Sequence, residues 1–234
     1  MNTITRSILT QVSPLLIVIV VVGIVLGTTP AKVVSATTTF VVTKTADTND
    51  GICDADCSLR EAIIAANATP GDDIITLPSG TYTLTIAGTG EDFAATGDLD
   101  IASNLTINGA NATATIVSGG KIDRVFHVTG AFTVTFVSLT ISGGDYFVPD
   151  ARGKGGGIFN AGGTLTLTGV TVENNTAFLG GGIYNLNGTL MISKSTIANN
   201  LGVNGGGITN DSGTLTILNS TVSGNSAEGG GVGI

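Results

Sequence analysis

Short runs of alternating apolar and polar residues recur along the last third of the chain, separated by Gly, Asn and Ser. The repeats start as GGGIFNAGGTLTLTGVTVENN at Gly155, GGGIYNLNGTLMISKSTIANN at Gly180 and GGGITNDSGTLTILNSTVSGN at Gly205, and a fourth, GGGVGI, starts at Gly229. The start positions differ by 25, 25 and 24 residues. A fixed period of this length is typical of a solenoid.

The alternation within one repeat predicts its secondary structure. In the second copy, three short runs (182–185, 189–193 and 195–199) alternate apolar and polar residues between Gly, Asn and Ser. Such runs are too short and too rich in β-branched residues for helices. We therefore predict an all-β solenoid, a parallel β-helix with three strands and about 25 residues per coil.

Aligned positions of the repeats predict ladders that run from coil to coil, because a single coil cannot bury its apolar side chains alone. The predicted apolar columns are Ile158, Ile183, Ile208 and Val232; Leu165, Leu190 and Leu215; and Val172, Ile197 and Val222. The predicted corner columns are Asn160, Asn185 and Asn210, and Asn175, Asn200 and Asn225. Their amides can bond to the neighbours above and below. A ligand-binding face is the alternative, but columns that recur with the period of the fold favour a structural role.

The N-terminal segment, residues 1–36, is predicted to be an export signal. It has a basic start at Arg6, an apolar run over 15–26, and the triplet Val34-Ser35-Ala36 as a cleavage site. The run is shorter than the ~20 residues that span a bilayer, and an uncleaved anchor is the alternative. We expect residues 37–100 to form a cap and the first coils, and residues 101–234 to form the repeats. The sequence stops inside a coil, so we expect a longer natural chain or a partner that covers this end.

A single helix is predicted ahead of the coils. Ser58 followed by Glu61 is a capping box, and Pro70-Gly71 ends the segment. The apolar residues Leu59, Ala62, Ile63 and Ala66 share one face of this helix. We expect that face to cover the open end of the first coil.

The string CDADCSLREAIIAAN, followed by DDIITLPSGTYTLT over 72–85, resembles the N-terminal module of the bacterial exported proteins named after the CSLREA motif, whose six letters stand at 57–62. The likeness continues through 104–120 and 123–144. It implies a secreted or surface protein with a right-handed, pectin-lyase-like parallel β-helix, usually of unassigned activity. The GGGI and Asn pattern is similar, more weakly, to repeats of polymorphic outer-membrane proteins, which are adhesins or autotransporter passengers.

The charge balance argues against several partners. The chain has 9 Lys and Arg against 17 Asp and Glu. Removal of Arg6 and Lys32 with the export signal leaves 7 against 17, a net charge of −10. A chain this acidic is unsuited to nucleic acid or anionic lipid. We expect membrane contact only through the export signal or a C-terminal anchor outside this sequence.

Cys53 and Cys57 are the only cysteines. An even count in an exported protein favours a disulfide between them. A redox-active pair at the start of the helix is the alternative, because that position lowers a thiol pKa. The spacing is not Cys-x-x-Cys, and two ligands cannot hold a structural zinc ion alone.

Oxygen-bearing side chains concentrate in the loop before the helix, at Asp47, Asn49, Asp50, Asp54 and Asp56. They are weak candidates for a calcium site. The Asp and Gly spacing does not fit the EF-hand loop, and Asp and Asn also favour turns. The sequence therefore predicts turns here, with calcium as the alternative and no other cofactor.

No catalytic set is predicted. Asp98 and Asp100 share one face of a strand, whereas Asp123 and Arg124 point to opposite faces if the chain is extended there. His127, the only histidine, aligns with Asn160 and is predicted to lie at a corner.

The inserted segment from Asp145 to Lys154 is predicted to be a loop. We expect an exported, non-catalytic structural or adhesive scaffold, with glycans or cell-surface components as partners. The alternative is a polysaccharide lyase or glycoside hydrolase, on fold analogy.

Overall fold

The computed structural model describes residues 36–148 and 152–231, which belong to one compact unit. The predicted export signal, apart from Ala36, lies outside the described residues, as does Val232. In the described part of the chain, no helix has the length and apolar character needed to cross a membrane.

The protein is a parallel β-solenoid. Its described residues form 22 strands in four sheets, and one helix among them covers the N-terminal end. Helix α1 spans Leu59–Ala68. Sheet A consists of β1 (Thr39–Val41), β2 (Asp72–Leu77), β5 (Asn104–Gly109), β8 (Thr133–Val137), β12 (Thr164–Thr168), β16 (Thr189–Ser193) and β20 (Thr214–Leu218). Sheet B consists of β3 (Gly80–Thr83), β6 (Thr115–Ser118), β9 (Thr140–Ser142), β13 (Thr171–Glu173), β17 (Thr196–Ala198) and β21 (Thr221–Ser223).

The other two sheets are shorter. Sheet C consists of β4 (Leu99–Ile101), β7 (Phe126–Val128), β11 (Ile158–Ala161), β15 (Ile183–Leu186) and β19 (Ile208–Asp211). Sheet D consists of β10 (Asp145–Tyr146), β14 (Thr176–Leu179), β18 (Leu201–Asn204) and β22 (Ser226–Gly231). The prediction of three strands per coil is therefore wrong for the repeats, since each has a fourth strand, which belongs to sheet D.

The register of sheet C gives the length of each coil. Ile158 pairs with Ile183 and Ile183 with Ile208, so these coils advance by 25 residues, as predicted. Leu99 pairs with Phe126, and Phe126 with Ile158, so the two earlier coils advance by 27 and 32 residues. The longer coil contains the segment 145–154, which begins as strand β10 rather than as a loop.

The predicted apolar columns are confirmed for every described member, because each set pairs in register across its sheet. Their members in the middle of the stack are fully or almost fully buried (Ile158, Leu165, Val172, Ile183, Leu190 and Ile197). Phe126 and Phe136 fill the interior of an earlier coil, with ring centroids 4.7 Å apart. Stacking of the coils thus makes one continuous core.

The two Asn columns are hydrogen-bonded ladders inside the solenoid. Asn160 Nδ2 donates to Asn185 Oδ1 at 2.6 Å, and Asn185 Nδ2 donates to Asn210 Oδ1 at 2.6 Å. The second column repeats the arrangement, with 3.0 Å from Asn175 Nδ2 to Asn200 Oδ1. Asn160, Asn185 and Asn175 are fully buried, so the ladders satisfy amides that would be costly to bury alone. The interpretation of these columns as ladders is confirmed. The predicted corner position is wrong for Asn160, Asn185 and Asn210, which lie within strands β11, β15 and β19.

The glycine triplets lie at crowded corners, as predicted. Gly155 has a φ of +63°, which favours glycine. A Cβ on Gly181 would overlap the carbonyl oxygen of Leu201 in the next coil. The triplet therefore lets neighbouring coils approach at this corner.

Helix α1 is formed as predicted. Ser58 is its N-cap, and the capping box with Glu61 is complete. The predicted apolar face, Leu59, Ala62, Ile63 and Ala66, is buried in the core cluster. The helix contacts β1, β2 and β4, so it covers the first coil.

Candidate functional site

The acidic loop before helix α1 uses its side chains for turns and ion pairs. Asp50 and Asp54 each accept a hydrogen bond from a backbone N–H two residues on. Asp56 pairs with Lys44 at 3.0 Å, and Asn49 donates to the carbonyl of Ala95. These four calcium candidates therefore meet partners within the protein, and no three carboxylates of the loop bring oxygen atoms within 4.8 Å of one another.

Asp47, the remaining calcium candidate, is bound to Arg60 of helix α1. Arg60 Nε lies 2.7 Å from Asp47 Oδ1 and its Nη2 3.2 Å from Oδ2. Arg60 is fully buried and also donates to the carbonyls of Ala94, Gly97 and Asp98. One side chain thus joins the helix, the acidic loop and the segment that leads into β4.

Glu61 is the centre of a second buried anchor. Burial alone would raise its pKa, but hydrogen bonds outweigh this effect and lower the pKa below its usual value. The donors are the backbone N–H of Ser58, the hydroxyl of Thr48 and the backbone N–H of Asp50. The folded protein therefore stabilises the ionised form of the Glu61 carboxylate.

The pKa of Glu61 predicts how the cap responds to acid. Because the folded pKa is lowered, Glu61 contributes stability above its unfolded pKa of about 4.3 and loses it as the pH falls through the folded value. We expect Glu61→Gln to lower the free energy of unfolding at pH 7 and to flatten its decline below about pH 4.5. Urea denaturation at a series of pH values measures both effects. Glu173→Gln is the matched control, and parallel acid profiles for Glu61→Gln and the wild type would contradict this assignment.

The two cysteines are joined in the structure. Cys53 and Cys57 are bonded through sulfur, with Cα atoms 4.5 Å apart. Cys57 lies directly before the N-cap, and its backbone N–H donates to the hydroxyl of Thr43. The pair holds the turn from which helix α1 begins. The oxidised state of the protein after export stays a prediction.

A buried acidic cluster lies where the chain enters sheet C. Asp98, Asp100 and Asp123 are at most 3% exposed. Arg124 Nε lies 2.7 Å from Asp98 Oδ2 and 3.8 Å from Asp123 Oδ1. The contact between Arg124 Nε and Asp98 Oδ2 lacks hydrogen-bond geometry, so neither atom has a hydrogen-bond partner. Asp123 Oδ2 has none either.

The cluster does not meet the condition under which the sequence places Asp123 and Arg124 on opposite faces. Asp123 and Arg124 do not point to opposite faces, because they lie in a turn before β7 and not in an extended strand. Their side chains meet Asp98 instead. The sequence alone did not predict this turn.

The environment of Asp98 changes its protonation. Burial, opposed by Arg124 and reinforced by the charges of Asp100 and Asp123, raises the pKa of Asp98 to about 8. Burial likewise raises the pKa of Asp123. Its surroundings therefore favour the protonated form of the Asp98 carboxyl.

His127 occupies a different column from the one that the sequence predicts. Phe126 pairs with Ile158 and His127 with Phe159, so Val128, not His127, aligns with Asn160. A shift of one residue moves a side chain to the opposite face of a strand. His127 consequently lies on the outside of sheet C, and the prediction of a corner position is wrong.

The outside of sheet C carries a column of planar side chains that the sequence analysis missed. The rings of His127 and Phe159 are stacked, with centroids 4.8 Å apart and planes 7° apart. Phe159 meets Tyr184 edge-on at 5.8 Å. We call His127, Phe159 and Tyr184 the outer column. The signal in the sequence is an aromatic residue in the middle of two of the three Ile-x-Asn triplets, Phe159 and Tyr184, whereas the third has Thr209.

Cationic side chains lie along the outer column. The guanidinium of Arg124 is 4.1 Å from the centre of the Tyr146 ring and 5.5 Å from that of Phe159. Lys154 Nζ is 5.7 Å from the Phe159 ring and 5.3 Å from the Tyr184 ring. The inserted segment 145–154 therefore supplies the flank of the column, with Tyr146 at one end and Lys154 at the other.

The N-terminal end of the outer column is acidic. Asp100 pairs in register with His127, and its Oδ1 lies 3.0 Å from His127 Nδ1. Asp92 Oδ1 lies 3.4 Å from the same nitrogen. Phe93, the next residue, is 79% exposed. An exposed aromatic residue thus follows, in the sequence, the aspartate that contacts the acidic end of the column.

Comparison of the chain with models of protein families, with curated proteins and with solved structures yields no match. The resemblance to CSLREA proteins therefore stays a prediction, carried by the residues at 57–62.

Proposed function

We propose that this chain is an exported extracellular β-solenoid that serves as a rigid adhesive scaffold and binds glycans along the outer column of sheet C. The observation that carries the proposal is the outer column itself, a set of aromatic rings flanked by Arg124 and Lys154 on an otherwise regular stack of coils. The export signal predicted at residues 1–36 supports an extracellular location.

Aromatic side chains are the first support for a glycan ligand. The chain has only 8 Phe and 3 Tyr, yet Tyr146, Phe159 and Tyr184 lie in or along this column, and Phe93 follows Asp92, which contacts His127. Aromatic rings bind the apolar faces of sugar rings. Tyr184 is only 4% exposed and its hydroxyl donates to Asp211 Oδ2 at 2.8 Å, so contact with a ligand falls to Phe93 and the half-buried Phe159. Phe93 presents a largely exposed ring that can be covered by a ligand.

Charge is the second support. Lys154 and Arg124 bring positive charge to a protein whose overall formal charge is −8. Arg124 is largely buried and engaged with Asp98, whereas Lys154 is half-buried. Lys154 is therefore the better placed of the two to pair with the carboxylate of an acidic sugar.

An enzyme acting on polysaccharides is the second candidate, and Asp98 favours it. A carboxyl with a pKa of about 8 beside Arg124 has the protonation of a general acid. Its position argues the other way, because Asp98 is 3% exposed and Asp123 is fully buried. A substrate cannot contact these groups in this structure, so the scaffold interpretation is the stronger.

Glycan binding by the exported protein tests the proposal. We expect binding to acidic polysaccharides, a loss of about tenfold or more in Phe93→Ala, and a weaker, salt-dependent loss in Lys154→Met. The first estimate follows because burial of a Phe side chain is worth about 1.5–3 kcal/mol, and 1.4 kcal/mol is a factor of ten. Titration calorimetry with pectic and other uronic-acid glycans measures the affinities.

The matched controls are Ile52→Ala, which removes an apolar side chain that is 62% exposed on the cap, and Lys121→Met, which removes an exposed cation elsewhere. Equal losses in these controls would refute binding at the outer column. Release of unsaturated or reducing ends during the same incubations, abolished in Asp98→Asn, would establish the enzyme instead.

A further inference from the structure

The outer face of sheet C brings three metal-ligating side chains to one point. Asp100 lies in the middle of β4, His127 in the middle of β7, and Asp92 in the segment before β4. One ligand atom from each lies within 4.8 Å of the others, and this is the one such group that the described residues contain. We propose that Asp92, Asp100 and His127 bind a divalent transition-metal ion of the zinc type.

The geometry around His127 Nδ1 is the first argument. This nitrogen faces two carboxylate oxygens, Asp100 Oδ1 at 3.0 Å and Asp92 Oδ1 at 3.4 Å. A single N–H can form one good hydrogen bond, so it cannot serve both oxygens equally well. A cation between the three atoms would satisfy all of them at once.

The ligands are held in place by groups that do not bind the ion. The backbone N–H of Ala94 donates to Asp100 Oδ2 at 2.9 Å, which leaves Oδ1 free to turn towards His127. The imidazole is fixed by its stacking on Phe159, with planes 7° apart. In metalloproteins, contacts of this kind orient the side chains that coordinate the metal ion.

The burial of Asp100 is the second argument. Asp100 is fully buried, and its Oδ1 faces His127, whose imidazole is charged only when protonated. A buried carboxylate requires a compensating positive charge, which a dication bound at Asp100 would supply.

The donor set selects the class of ion. Calcium takes six to eight oxygen ligands, whereas imidazole together with carboxylate suits zinc and its neighbours. Three protein ligands are the number found in zinc sites that keep one position open. This proposal does not depend on glycan binding, because metal ions alone, without a glycan, are used to test the site.

The test is a titration of the chelator-treated exported protein with Zn²⁺, Co²⁺ and Ca²⁺. We expect one equivalent of Zn²⁺ with micromolar or tighter affinity, a visible Co²⁺ absorption band, and a higher melting temperature with Zn²⁺. Asp92→Asn should weaken Zn²⁺ binding at least tenfold, because even partners of the ligands typically contribute 10–100-fold. Asp92 is exposed, so this variant should keep the fold.

Asp54→Asn is the matched control, since it removes an exposed carboxylate from the acidic loop before helix α1. His127→Gln provides a second removal of a ligand, with circular dichroism as the check on folding. Zn²⁺ affinity that is the same in Asp92→Asn and the wild type, or that falls only in Asp54→Asn, would overturn the site. Tighter binding of Ca²⁺ than of Zn²⁺ would overturn the assigned ion class.

Discussion

Arg60→Met should unfold the N-terminal cap at much lower denaturant concentration than the wild type. The substitution leaves the Asp47 carboxylate almost fully buried without its partner, and it removes the donor from the carbonyls of Ala94 and Gly97. Removal of one member of a buried ion pair typically costs about 3–5 kcal/mol. Urea denaturation followed by far-UV circular dichroism measures the loss.

Two further variants separate the ion pair from the general effect of charge. Asp47→Asn combined with Arg60→Met should lose less than the sum of the single variants, because both remove the same contact. Lys121→Met removes an exposed cation and should change stability by less than about 0.5 kcal/mol. If Arg60→Met were as mild as this control, Arg60 could not be the anchor of the cap.

Asn185→Ala should produce the second large loss, of about 2–4 kcal/mol. It removes the middle member of a ladder, in which Asn185 accepts from Asn160 and donates to Asn210 and to the carbonyl of Gly188. Each hydrogen bond contributes about 1 kcal/mol net, and a buried group left unsatisfied costs about 1–3 kcal/mol. Thermal and urea denaturation measure the change.

Asn210→Ala is the control for the ladder, because Asn210 is the same residue type in the same column but is exposed. It should cost less than about 1 kcal/mol. Equal losses for Asn185→Ala and Asn210→Ala would show that the ladder does not contribute through burial.

Local periodicity explains which parts of the fold could be predicted. The 25-residue repeat and the alternation in 189–193 determine inward and outward positions, so the apolar columns follow from the sequence. Strand β18 was missed because Leu201-Gly202-Val203-Asn204 contains Gly and has no β-branched pair to mark it. Pairing with β14 and β22, and not local preference, makes that segment a strand.

The candidate site could not be predicted for a different reason. Matching Val125-Phe126-His127 to Ile158-Phe159-Asn160 aligns the two Phe residues, but Phe126 points inward and Phe159 outward. The coil between them is 32 residues long, so the period no longer fixes the register. Contacts between Asp98, Asp123 and Arg124 depend on two turns outside the strands. Such contacts are properties of the assembled stack.

The four parallel sheets also determine how the molecule would respond to a pulling force. Backbone hydrogen bonds between coils run along the solenoid axis, because the strands lie across it. Tension between the two ends would therefore open coils one at a time. Each 25-residue coil of the repeats that opens would replace a rise of about 4.8 Å by roughly 80–90 Å of extended chain. A tether built in this way lengthens in steps under load, while the coils that remain stacked keep their structure.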